Sequence, residues 1–196
     1  MFPTVRMRRL RELKLLKETR VSTDDLILPV FIDENIEGET KKPIDSMPGQ
    51  YRFSIEGAVK EVSEARSLGI KSVLLFGIPR KKDETGSEAF NTEGVIQRAV
   101  RKLKEEVENI VIITDLCLCE YTTHGHCGLV DVDAGSGHVL NDPTLEVLGK
   151  IAVSQAEAGA DIVAPSGMLD GMVKAIRENL DDDSFTDTAI MSYAAK

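Results

Sequence analysis

The stretch NIVIITDLCLCEYTTHGHCG, Asn109–Gly128, joins an apolar run to a loop rich in cysteine, histidine and glycine. Its first part, IVIIT, is a nearly continuous β-branched run, the pattern of a strand in a parallel sheet rather than of a strand with one wet face. Reactive side chains begin where that run ends. All three cysteines of the 196-residue chain, Cys117, Cys119 and Cys127, fall in this stretch, with two of its three histidines.

Working outward, the same alternation of short apolar run and helical pattern recurs. DLILPVFID (25–33), KSVLLFGIP (71–79), NIVIITDLCLCEY (109–121), DIVAPS (161–166) and TAIMSYAAK (188–196) read as five strands. A linker with turn residues follows the first. Ser54 then reads as the N-cap of a helix whose apolar positions Ile55, Ala58, Val59, Val62 and Ala65 share a face, with Gly69 as its stop. Residues 93–107 place Val95, Ile96, Ala99, Val100, Leu103 and Val107 on one helical face. Asp142-Pro143 reads as a cap followed by a proline at the first helical position, opening a helix that runs to about Gly159, and 171–180 is a fourth helix.

Strand then helix, repeated, means a parallel sheet covered by helices, either doubly wound or a TIM barrel. No glycine-rich phosphate fingerprint follows the first strand, which lowers the dinucleotide-binding reading. The reactive residues sit at strand ends: the cysteines after IVIITD, Ser166 after DIVAP, Lys196 after TAIMSYAA. That is where a TIM barrel does its chemistry. A closed barrel needs eight strands and about 250 residues; on the barrel reading, the five strands in residues 25–196 form its N-terminal portion. The expectation is that this sequence is part of a longer chain, and that it is inactive as an isolated polypeptide.

Composition narrows the function. Apolar residues make up 42% and charged residues 29%, with a net charge of −9. An acidic chain lacks the clustered Lys and Arg of a nucleic-acid binder. No apolar run approaches the roughly 20 residues of a membrane span. Residues 1–24, opening MFPTVRMRRLRELKLLKETR, are strongly basic, yet Glu12 and Glu18 and the scarcity of serine argue against a transit peptide. They read as an arm that packs on a partner subunit. With no signal peptide visible, a cytoplasmic, reducing compartment is expected, where clustered thiols serve metal or catalysis more often than disulfides.

Cys117 and Cys119 are two apart, which on an extended strand puts both on one face, and Cys127 follows after a loop long enough to fold back. Three converging thiolates suit zinc and leave it one open position, so the cluster reads as a working site rather than a staple. His124 or His126 could add a ligand, although a loop-surface role suits them better, as it does His138. Asp115 lies on the same face by period and could orient an ammonium or iminium. Lys196, ending an apolar strand, is placed to become a nucleophilic amine for Schiff-base chemistry. Ser166 reads as either a substrate contact or a helix cap.

DLCLCEYTTHGHCG, APSGMLDGMV and IMSYAAK, in that order, resemble the porphobilinogen synthase (5-aminolevulinate dehydratase) family, and KPIDSMPGQYRFS and the LPVFI strand look like its N-terminal part. The resemblance covers essentially the whole chain. It implies a TIM barrel whose N-terminal arm embraces a neighbouring subunit, usually in octamers, and a reaction condensing two 5-aminolevulinate molecules into porphobilinogen for tetrapyrroles such as haem. Cys117, Cys119 and Cys127 match the zinc ligands of the zinc-using members, as against members with carboxylates there that depend on magnesium. Lys196 matches one of two Schiff-base lysines, Asp115 an acidic residue near the substrate amine, and Ser166 a serine lining the pocket. The second lysine and the carboxylate-binding groups of the family lie beyond Lys196, as would any second metal site, for magnesium or zinc. A Schiff-base aldolase would also want a lysine at a strand end but gives no reason for three cysteines. A zinc-binding assembly module would bind metal and form no imine.

Overall fold

A computed structural model describes residues 17–38, 40–131 and 137–194. Among these residues seven strands form one sheet in the order β2-β3-β1-β4-β5-β6-β7. They are β1 Ile27–Asp33, β2 Lys41–Pro43, β3 Tyr51–Phe53, β4 Ser72–Ile78, β5 Val111–Leu116, β6 Ile162–Pro165 and β7 Ala189–Ile190. Among the described residues four α-helices intervene: α1 Ile55–Ser67, α2 Val95–Glu106, α3 Asn141–Glu157 and α4 Met172–Asp182. The neighbours β1, β4, β5, β6 and β7 are all parallel and follow chain order, one helix between each pair. A doubly wound sheet reverses its strand order at a switch point, whereas a barrel wall does not.

The register adds a second argument. Val30 pairs with Leu75, Val73 with Ile112, and Thr114 with Val163, so these residues share one face of the sheet. Val30, Ile32, Val73, Leu75 and Ile112 form one buried core with Val59 and Val62 of α1 and Ile96, Val100 and Leu103 of α2. Leu116 and Val163, on that same face, form a second core with Leu148 and Ile151 of α3 and Ile176 and Leu180 of α4. All four helices therefore cover a single face, as the outer ring of a barrel does. Each of these aliphatic side chains contributes about 1.5–3 kcal/mol when fully buried. The opposite face carries Phe31 stacked on Phe76, with ring centroids 5.1 Å apart, together with Ile113, Asp115 and Ala164. On β4 burial alternates strictly for this reason: Val73, Leu75 and Gly77 are buried against helices, while the intervening residues are half-exposed.

Several boundaries differ from expectation. The linker after β1 contains an antiparallel β2–β3 pair, whose β3 also adds parallel to β1. Ser54 caps α1 as expected, its hydroxyl accepting from the Gly57 N–H at 2.9 Å. Helix α3 starts at Asn141 with Leu140 at the cap, so Asp142 and Pro143 sit inside its first turn rather than at its threshold. The strand expected over 188–196 forms a ladder only at Ala189–Ile190. Of the expected arm, residues 1–16 lie outside the described residues, and the stretch from Lys17 to Asp24 is exposed. Among the described residues no helix is long and apolar enough to cross a membrane.

Candidate metal and substrate site

The site sits where β5 and β6 end. β5 stops at Leu116, and the chain then turns rather than extends: the N–H groups of Tyr121 and Thr122 both donate to the Leu118 carbonyl at 2.9 Å. The two-residue strand period therefore does not bring Cys119 beside Cys117. The turn does, setting their sulfurs 3.3 Å apart. A second return brings in Cys127, and the three sulfurs lie within 4.8 Å of one another. Gly128 permits that return, since a β-carbon there would stand 2.6 Å from Val139 and 2.9 Å from the Thr144 hydroxyl. None of the three cysteines forms a disulfide; Cys117 is buried and the others are half-buried.

The thiols are not equivalent. The hydrogen bond shared with the Cys119 sulfur holds the Cys117 thiol below the usual range, against the opposing effect of burial. The same bond, together with burial, pushes Cys119 up. The Glu120 carboxylate lies 3.1 Å from the Cys119 sulfur. The set of three soft donors fits a soft or borderline dication such as zinc better than magnesium or calcium. Asp115, Cys117 and Glu120 also bring one ligand atom each within 4.8 Å of one another, a harder set sharing one sulfur with the first.

Asp115 is buried on the inner face of β5. Its backbone is fixed by Gln155 of α3, whose side-chain amide donates to the Asp115 carbonyl at 3.0 Å while its own oxygen accepts from Thr114 at 2.8 Å. Its carboxylate accepts a hydrogen bond from the Tyr193 hydroxyl, and burial with that negative neighbour pushes the Tyr193 hydroxyl above its ordinary range. Ser166 is buried just after β6, its N–H donating to the Leu116 carbonyl at 3.3 Å, beside the residue that precedes Cys117.

Beyond β7 the chain keeps to the edge of β6: Met191 donates to the Val163 carbonyl at 3.0 Å and Tyr193 to the Pro165 carbonyl at 3.2 Å. Lys196 lies outside the described residues. His124 and His126 pack on each other, ring centroids 5.4 Å apart, and His124 meets the Glu84 carbonyl at 3.2 Å. Neither joins the sulfur cluster. His138 is exposed. Reading the sequence alone passes over Tyr193 and Glu120. Tyr193 carried a usable signal, the end of an apolar run beside a strand that also ends in polar residues.

Residues 4–196 match the family model described as delta-aminolevulinic acid dehydratase. The chain is 58% identical over 198 residues to the delta-aminolevulinic acid dehydratase of Archaeoglobus fulgidus, covering 100% of this chain and 60% of that one. It is 50% identical over 184 residues to that of Ruminiclostridium josui, covering 93% of this chain and 86% of that one. Among solved structures it is similar to the delta-aminolevulinic acid dehydratase (porphobilinogen synthase) of Toxoplasma gondii in complex with its reaction product porphobilinogen. That likeness has a TM-score of 0.90 and 41% identity, over 100% of this chain and 55% of the other. The chain thus spans about 60% of the length of several of the curated relatives it matches. With a matched family model over nearly every residue and a barrel-wall fold to go with it, this chain belongs to the delta-aminolevulinic acid dehydratase family.

Proposed function

We propose that the whole protein to which this chain contributes is a hydro-lyase that condenses two molecules of 5-aminolevulinate into porphobilinogen with loss of water. The observation that carries the reading is the convergence of Cys117, Cys119 and Cys127 at the strand end that also carries Asp115, in a chain of this family. Cys117, Cys119 and Cys127 would hold zinc, and three thiolates leave that ion one position for a substrate oxygen or nitrogen, where it acts as a Lewis acid.

The remaining roles belong to the chain itself. Lys196 supplies the amine that attacks a substrate ketone; loss of water from the carbinolamine gives an iminium, an electron sink for carbon–carbon bond formation. The Asp115 carboxylate pairs with the substrate ammonium or takes a proton from the carbon that becomes nucleophilic, with Tyr193 fixing its orientation. Ser166 offers a hydroxyl to the same pocket. Residues 1–24 would contact a second copy of the chain in a homo-octamer. Clustered cysteines that form no disulfide support a cytoplasmic, reducing compartment.

The test is incubation of the full-length protein with 5-aminolevulinate and borohydride, followed by peptide mass mapping. A reduced adduct on Lys196, with porphobilinogen formed when borohydride is omitted, is the expected result. A full-length protein that forms neither adduct nor product overturns the reading.

A further inference from the structure

The loop between β4 and α2 takes no part in the chemistry above, yet it closes against the metal-ligand loop. Asp83 makes a one-residue parallel bridge with Thr122. Its N–H donates to the Tyr121 carbonyl at 3.3 Å, and its carbonyl accepts from the Thr123 N–H at 3.0 Å. That bridge lies inside the seven residues separating Cys119 from Cys127. The Asp83 carboxylate meanwhile ties down its own loop. One oxygen accepts from the Thr85 N–H at 2.9 Å, the Thr85 hydroxyl at 3.0 Å and the Ser87 N–H at 3.0 Å, and the other accepts from the Ser87 hydroxyl. The turn so formed presses Gly86, in the left-handed region at φ +66°, onto the same segment. A β-carbon there would stand 2.6 Å from Leu118, 3.3 Å from Thr122 and 3.4 Å from Tyr121.

We propose that Asp83 is a positioning residue for the three-thiolate centre: it fixes the Tyr121–Thr123 segment so that Cys127 returns to Cys117 and Cys119. This rests on the reading of those cysteines as a metal site. A ligand loop held at a point between its ligands loses less chain entropy when the metal binds, and partners that hold ligands in place typically account for 10–100-fold in affinity.

The experiment is competition for zinc between the full-length protein and a chromophoric chelator, with the thermal midpoint of each zinc-free variant measured in parallel. Asp83→Ala is expected to weaken zinc about 10–100-fold. Asp83→Asn keeps one acceptor oxygen for Thr85 and Ser87 and should fall between the two. Val62→Ala, a cavity in the core beneath α1, should lower the zinc-free midpoint and leave zinc affinity within about twofold, since sites that share no partner are nearly independent. Wild-type zinc affinity in Asp83→Ala, or an equal loss in Val62→Ala, overturns the positioning role while the metal reading stands. A wild-type protein that takes up no zinc through its cysteines overturns both.

Discussion

Gly77 of β4 lies directly under the Tyr121 hydroxyl: a β-carbon at position 77 would stand 2.5 Å from that oxygen and 2.6 Å from Ile96. Tyr121 is buried, two residues past Cys119, so a gap in one strand sets the height at which the ligand loop crosses it. Gly77→Ala overpacks this point. It should cost about 1–3 kcal/mol of stability in denaturant unfolding and weaken zinc binding as the loop is pushed outward. Unchanged stability would mean that Tyr121 has room to move.

The bond from Tyr193 to Asp115 invites two substitutions in the full-length protein. Asp115→Asn removes the charge and the proton acceptor, and a drop in kcat of about 10²–10⁴ is expected for a group acting in proton transfer. Tyr193→Phe removes a donor to a charged acceptor, worth about 1.5–3 kcal/mol, or roughly ten- to hundredfold in rate if the bond holds through the transition state. Steady-state formation of porphobilinogen separates kcat from KM for both. A change confined to KM would assign the pair to substrate binding alone.

Cys119→Ser replaces a half-buried soft donor by a hard one of similar shape. Zinc content after dialysis should fall from one equivalent to well below half, and zinc-free stability should stay within about 0.5 kcal/mol, as for ordinary surface changes. Chelation of the wild type should abolish activity, and added zinc should restore it. A variant that retains tightly bound zinc would remove Cys119 from the ligand set.

The Asp83 carboxyl supplies a pH signature. Hydrogen bonds from Ser87, then Thr85, lower it from its ordinary 3.8 to about 2 in the folded protein. A carboxyl whose folded value is depressed stabilises fully above its unfolded value and loses that contribution as pH falls through the folded one. The stability difference between the zinc-free wild type and Asp83→Asn should therefore be constant above about pH 5 and shrink between pH 4 and 2. Denaturant unfolding at stepped pH measures it. A difference that persists unchanged at pH 2 would contradict the assignment.

Much of this architecture is legible in the residues because apolar periodicity reports burial directly. The runs around Val30, Leu75 and Ile112 mark strands, and the face shared by Val95, Ile96, Ala99, Val100 and Leu103 marks α2. The strand period that pairs Asp115 with Ile113 on one face holds through β5, where Asp115 pairs with Ala164. The period fails one step later, at Cys117, because the strand has ended and a hydrogen-bonded turn sets the direction of Cys119. Short-range signals hide other features. The three-residue strand Lys41–Pro43 is wholly exposed and consists of two lysines and a proline, so it carries no apolar pattern. The bridge from Asp83 to Thr122 involves one residue from each loop, far too little for any period to show. Gln155, which fixes both Thr114 and Asp115, looks in sequence like one more polar residue on a helix, yet it is buried at 1% exposure.

The three sulfurs come from one continuous segment, Cys117–Cys127, stapled to a neighbouring loop at Asp83 and resting on Gly77, while the sheet beneath contributes no sulfur. Metal preference in such an arrangement behaves like a cartridge. Exchanging donors within eleven residues would change the hardness of the site, and with it the ion it prefers, without shifting a strand register. The donors and the parallel strands beneath them are thus set by separate stretches of the chain.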